Sequence, residues 1–196
     1  MSDDNAVAPA DEVLMSRVRA TADAAAFNEL MVRWEIRVKR YLARVLQNQA
    51  EAEDLAQEAF VRIYSHRDRY RDGARFSAWL YAIAANLARN RLRWWRRRPS
   101  IAIDSWSPDE DRPAPVEIAD PAAGASVVEG RERALIVRDA VAALPLRLRE
   151  VVVLCEYEAL SQAEAAEVLG TTAKAVETRL YRARAILRTK LAALAA

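Results

Sequence analysis

Two stretches of this 196-residue chain carry side chains of the types that handle nucleic acid. In the first, Trp79, Asn86, Arg89 and Arg93 recur at spacings that set them along one side of a helix. The same helix ends in Arg91-Leu92-Arg93-Trp94-Trp95-Arg96-Arg97-Arg98. Arginines neutralise phosphates, an amide reads a base edge, and aromatic rings stack on bases that have left the duplex. Ahead of it, Arg67, Arg69, Tyr70, Arg71 and Arg75 crowd a segment broken by Gly73, which reads as a basic loop. In the second stretch, Lys174, Thr178, Tyr181 and Arg182 share the polar side of a helix, with Arg179 beside them. Val176, Leu180, Ala183 and Leu187 form the opposite stripe, which predicts burial. Both basic faces also have a plainer reading: solvated surface, with the terminal arginines complementing a helix dipole.

A third set is of a different kind. Within Ala52–Tyr64, the residues Leu55, Ala59 and Ile63 lean one way on a helix, while Asp54, Gln57, Glu58 and Val61 lean another. An acidic-polar face with one apolar residue in it is either solvated or a docking surface for a protein, since helix-to-helix contacts mix apolar area with oriented polar pairs.

Other chemistry is poorly supplied. One histidine, His66, and one cysteine, Cys155, exclude an internal disulfide and make a protein metal site or a histidine-based catalytic set a poor expectation. Cys155 follows the apolar run Val151–Leu154 and reads as a buried structural thiol. No cofactor is expected. The chain lacks a long uncharged apolar run and a signal-peptide pattern, so no membrane insertion is expected and the location expected is cytoplasmic. The formal net charge is only +2, but it is segregated. Arginines crowd 62–98 and 179–188, acids crowd 104–120, and separated basic faces can bind a polyanion despite a near-neutral sum.

The elements that must position these residues are helices. Four glycines and a heavy load of Ala, Leu, Arg and Glu predict an all-α protein. Helical periodicity begins near Asp11, and apolar stripes at Phe27, Leu30, Met31 and Trp34, then Tyr41, Leu42, Val45 and Leu46, predict a core. A long helix is expected from Phe76 to about Arg97, with Phe76, Leu80, Ile83 and Leu87 buried, and Pro99 stops it. Residues 99–128 hold five of the seven prolines and an excess of acids, which reads as a flexible linker. Two small helical domains follow from this, residues 1–98 and 129–196, the second ending in a helix-turn-helix. Ser161 with Glu164 makes a capping box, Gly170 ends the first helix, and Thr172 caps the second. Small Ala166 four residues before the glycine and Val176 six after it match the spacing of DNA-binding helix-turn-helices.

In this order the motifs resemble one family. Asp54-Leu55-Ala56-Gln57-Glu58-Ala59-Phe60, the run Phe76–Asn86, Ala143-Leu144-Pro145 with Arg149-Glu150-Val151, and Arg179–Arg184 are similar to bacterial RNA polymerase sigma factors of the extracytoplasmic-function (ECF) class over residues 25–98 and 131–191. The resemblance implies that the first domain (region 2) docks on the polymerase β′ clamp helices through Asp54, Gln57, Glu58 and Val61. It implies that the loop 67–75 and the flank Trp79, Asn86, Arg89 and Arg93 recognise and melt the −10 promoter element. The second domain (region 4) would bind the −35 element through the helix from about Ala173 to Arg188 and touch the β flap. A controlling anti-sigma factor, commonly membrane-linked, is implied as a further partner. Lys174-Ala175 and Glu177 depart from the family pattern and bear on the −35 preference, not on the fold.

Two other readings compete. A helix-turn-helix regulator that binds duplex DNA without polymerase would need neither the Asp54 face nor the Trp/Arg helix. A small helical enzyme would need a metal cluster, a phosphate-binding glycine loop or a nucleophile–base pair, and none is evident in the sequence.

Overall fold

The computed structural model describes residues 9–97 and 125–194, with the side chains of 125–132 and 193–194 outside that description. Among the described residues every regular element is helical. Four helices form the first part: α1 (Asp11–Thr21), α2 (Ala24–Leu46), α3 (Gln49–Ser65) and α4 (Phe76–Arg97), with a 3₁₀ turn at Arg67–Arg69 before α4. The second part has α5 (Ala125–Ala142), α6 (Leu146–Val152), a π-helical extension over Val153–Tyr157, then α7 (Gln162–Leu169) and α8 (Ala173–Leu194). Most of the expected linker 99–128 lies outside the described residues, and α5 begins at Ala125, four residues ahead of the expected domain start.

Local chemistry sets the helix starts. The Asp23 carboxylate accepts the Ala26 N–H at 3.0 Å, and Asn48 Oδ1 accepts that of Glu51 at 2.8 Å. The first amide of α4 is capped from another helix, because Glu12 Oε1 accepts the Phe76 N–H at 3.2 Å. Asp11 ties α1 to α2 by accepting from the Trp34 indole and from Arg33, both at 2.8 Å. Behind these bonds lies a tight core: Leu14, Met15, Leu30, Val38, Leu42, Ile63, Phe76 and Leu80 are all fully buried.

The expected continuous helix Leu146–Tyr157 is interrupted. Its last five residues form a π turn, and Glu158 N–H closes onto Val153 C=O. The wider turn brings Glu158 out of register with an ideal α-helix, a common device where a side chain must be re-aimed. Ala159 then takes a left-handed φ of 57°.

The core does not stop at the boundary between the two parts. Apolar residues of α2 and α4 are continuous with Val151–Leu154 and with α7 in one buried cluster. α4 packs along α7, and α2 meets both α6 and the π turn.

Candidate polymerase-docking and DNA-binding surfaces

The α3 face is solvent-facing as its pattern requires. Leu55, Ala59 and Ile63 are buried, Asp54 and Gln57 are exposed, and Val61 is 64% exposed. Glu58 is half-buried, and its carboxylate is engaged by Arg62 of the next turn at 2.5–2.9 Å. The surface is larger than the four residues read from the sequence. Phe27 and Met31 of α2 face Phe60, Val61 and Tyr64 of α3 across an open groove of about 320 Å³. Phe27 stacks edge-on to Phe60 at 6.4 Å and tilts against Tyr64 at 5.1 Å, so the groove floor is a rigid aromatic cluster. Glu35 and Lys39, paired at 2.7 Å, guard its rim. Phe27 and Met31 were expected to be core. The available signal was an excess of apolar positions on α2, more than one buried face can take: Val32 and Ile36 are exposed as well.

The segment 67–75 is less free than its composition implies. The Arg67 guanidinium donates to the Tyr64 carbonyl at 2.9 Å and lies 4.9 Å from the Tyr64 ring centroid. Tyr70 requires a correction: it is 2% exposed, its hydroxyl donates to the Ala74 carbonyl, and its ring packs 5.2 Å from Trp79. Burial pushes its phenol up to about 12. Tyr70 is therefore a core residue that anchors the loop, not an exposed stacking surface, because the hydrophobic gain from an aromatic ring favours the interior when its hydroxyl finds a carbonyl. Asp72 is held by Arg19 and by Ser16, which fastens the loop to α1. Arg69, Arg71 and Arg75 remain exposed.

Along α4, Asn86 and Arg93 are exposed, while Trp79 and Arg89 are half-buried. Asn86 Oδ1 accepts from Arg89 at 2.7 Å, and Arg93 donates to Asn90. Trp79 leans on the core through Tyr70 and keeps part of its ring at the surface.

The helix-turn-helix forms with its expected caps. The Ser161–Glu164 capping box is complete, Gly170 sits at φ 62°, and Thr172 Oγ1 accepts the Ala175 N–H at 3.2 Å. Ala166 is buried where the helices cross, and Val176, Leu180 and Ala183 are buried beneath α8. Lys174, Thr178 and Arg182 are exposed, and Tyr181 is 77% exposed. Two of these are already engaged: Lys174 pairs with Glu177 at 2.9 Å, and the Thr178 hydroxyl donates to the Lys174 carbonyl at 2.9 Å. Arg179 is half-buried, and its charge acts on the buried Glu150 carboxyl.

These surfaces coincide with family matches. Sigma-70 region 2 matches residues 30–98, and Sigma-70 region 4 matches residues 134–187. The ECF RNA polymerase sigma-E factor of Escherichia coli (strain K12) is 33% identical over 184 residues, covering 92% of this chain and 94% of that protein. The chain belongs to the ECF RNA polymerase sigma factors. A second relative, the ECF RNA polymerase sigma factor SigE of Mycolicibacterium smegmatis, is 34% identical across 97% of this sigma factor and 73% of its own length. Among solved structures, CnrH in complex with the cytosolic domain of CnrY superposes with a TM-score of 0.68 at 26% identity, over 94% of this sigma factor and 99% of that chain. Sigma factors are transcription initiation factors, not enzymes, and the reading as a regulator that works without polymerase is not favoured. Among the described residues no helix is long and apolar enough to cross a membrane.

Proposed function

We propose that this sigma factor engages core RNA polymerase through the groove between α2 and α3, with Asp54, Gln57, Glu58 and Val61 on its α3 side. The single observation that carries this is the groove itself. It is an aromatic-floored cleft with an exposed valine on one lip and polar residues around it, lined among the described residues by α2 and α3. A partner helix laid in it would bury apolar area and meet oriented polar groups.

The flank of α4, with Trp79, Asn86, Arg89 and Arg93 and the arginines at 69, 71 and 75, is assigned to the −10 element. The exposed face of α8, with Lys174, Thr178, Tyr181 and Arg182, is assigned to the −35 element in a major groove. The domain limits 1–98 and 129–196, joined by residues 99–128, belong to the same reading. CnrH is seen in complex with the cytosolic domain of CnrY, which supports control by a protein partner, and the family resemblance makes that partner an anti-sigma factor.

The test is initiation. Purified protein added to sigma-free core polymerase is expected to direct transcription from promoters in a genomic library. Gln57→Ala combined with Val61→Asp places a charge in the groove and removes its neighbouring amide. This variant is expected to lose at least about thirtyfold in core affinity, the cost of a hot-spot-sized loss of about 2 kcal/mol. Retained affinity in a folded double variant would move the docking surface elsewhere.

A further inference from the structure

Glu177 is the only acidic residue of α8, set among six lysines and arginines. It is exposed, and it lies on one side of the helix between Lys174, a turn before it, and Tyr181, a turn after it. The buried stripe Val176, Leu180 and Ala183 is on the other side. The Lys174 ammonium stands 2.9 Å from a Glu177 carboxylate oxygen, and the two side chains are 80% and 53% exposed. The backbone beneath the pair is held. Thr172 Oγ1 accepts the Ala175 N–H at 3.2 Å, and the Thr178 hydroxyl donates to the Lys174 carbonyl at 2.9 Å.

Sequence-independent DNA binding gains nothing from this carboxylate. With Tyr181, Arg184 and Arg188 it lines an open cleft of about 340 Å³ between α8 and the start of α7. The arginines attract phosphates, and the carboxylate repels them. A base edge is different. An ionised carboxylate only accepts hydrogen bonds, and the donors in the major groove are cytosine N4 and adenine N6. In a G·C pair, cytosine N4 stands beside guanine O6, about 2.9 Å away, the length of the N–H···O bond that joins them. The Lys174 ammonium and the Glu177 carboxylate present the complementary donor and acceptor at the same separation. Guanine N7 gives the ammonium a second acceptor. An A·T pair suits the two groups less well, because adenine N7 beside N6 repels the carboxylate and the thymine methyl crowds the ammonium.

We propose that Lys174 and Glu177 act as one reading unit that selects a G·C pair in the −35 element, with the cytosine facing Glu177. The inference rests on the assignment of α8 to that element. The ion pair holds the carboxylate in place before DNA arrives, and its remaining oxygen and the remaining ammonium protons meet the base edges.

Polymerase holoenzyme is reconstituted with the full-length parent and with Glu177→Ala, Glu177→Gln and Lys174→Ala chains. Each is bound to a duplex library built on a promoter that the parent uses, randomised across the −35 region, and the bound sequences are counted position by position. For the parent, the expected result is a roughly tenfold preference for G·C over A·T at one base pair, the scale of a single base contact. Glu177→Ala and Lys174→Ala should each flatten that same base pair and leave preferences at the others standing. Glu177→Gln should move it towards adenine in the cytosine's place, because an amide meets adenine N6 and N7 together. If Glu177→Ala tightens binding to all sequences alike, the carboxylate is only a repulsive charge and the inference is overturned. It is also overturned if the two alanine variants flatten different base pairs, or if Lys174→Ala weakens every sequence equally, the mark of a phosphate contact. The assignment of α8 fails separately: the parent holoenzyme itself would then show no base preference across the −35 region.

Discussion

At the residue scale, exposure and prior engagement separate side chains that the sequence treats alike. On α8 the Lys174 ammonium and the Thr178 hydroxyl already have partners within their own helix, whereas Arg182 is exposed and makes no ion pair among the described residues. A guanidinium with free donors is the group best suited to bidentate contact with a guanine edge. Arg182→Ala is therefore expected to weaken promoter binding by about 1–3 kcal/mol and to relax preference at one base pair. Competition between matched and substituted −35 duplexes in a mobility-shift assay reads both effects. If every duplex loses affinity equally and the salt slope falls, Arg182 holds a phosphate only. The same distinction operates in the loop before α4, where Arg69 and Arg71 are free to meet DNA while Tyr70 is committed to the core.

At the element scale, the helix-turn-helix is held by its caps more than by its length. α7 has only eight residues, too few to be stable without tertiary packing and satisfied ends. Ser161 serves it three ways: its hydroxyl donates to the Glu164 carboxylate at 2.6 Å and accepts the Glu164 N–H at 3.2 Å, and its own N–H donates to that carboxylate at 2.8 Å. Those bonds, with Arg75 beside them, hold the Glu164 carboxyl below the usual glutamate range. Ser161→Ala should cost about 1 kcal/mol, measured as a shift in the urea midpoint with an unchanged slope. The loss should be larger above the ordinary glutamate range than below it. A depressed pKa contributes stability where the unfolded group is also ionised, and that contribution disappears as pH falls. A cost independent of pH would mean that Glu164 keeps its charge interactions without the cap.

At the scale of the whole molecule, the buried carboxyl of Glu150 couples stability to pH. Arg89 of region 2 stands 3.8 Å from it, and the charges of Arg179, Arg147 and Arg149 of region 4 also act on it. Burial raises its pKa against the lowering influence of those arginines. Among the described residues, one of its oxygens and the Tyr41 hydroxyl have no hydrogen-bond partner. Desolvation wins because the nearest cation stands at 3.8 Å, beyond hydrogen-bonding distance. A raised folded-state pKa means stability that is full below the ordinary value of 4.5 and lost as pH rises through the folded-state value. Glu150→Gln should therefore fold at least as well as the parent near neutral pH and should flatten that part of the stability–pH curve. Urea midpoints taken from pH 4 upward, a range set by the ordinary glutamate value, test this. A neutral-pH stability well below the parent's would mean that the ionised carboxylate is a net stabiliser.

Helix content, the capping box, the glycine turn and the buried stripe of α8 were legible in the sequence because each depends on residues within a few positions of one another. Ser161 and Glu164 are three apart, and Val176, Leu180 and Ala183 lie within two turns. The family motifs were legible for the same reason: they are local strings in a fixed order. What the sequence could not contain was the meeting of elements distant along the chain. Phe27 and Met31 line a groove because α3 returns beside α2, not because of anything in their own helix. Tyr70 leaves the exposed set because Ala74 and Trp79 form its socket. Glu150, Glu158 and Glu164 look like ordinary surface acids by spacing. They become partners of Arg89, of Arg37 and Arg44, and of Arg75 only once α4 packs along α7 and the π turn aims Glu158 at α2. Periodicity fixes which face of a helix is apolar, but contact between two faces far apart in sequence is decided by chain-wide packing, where burial of a common core outweighs any local preference.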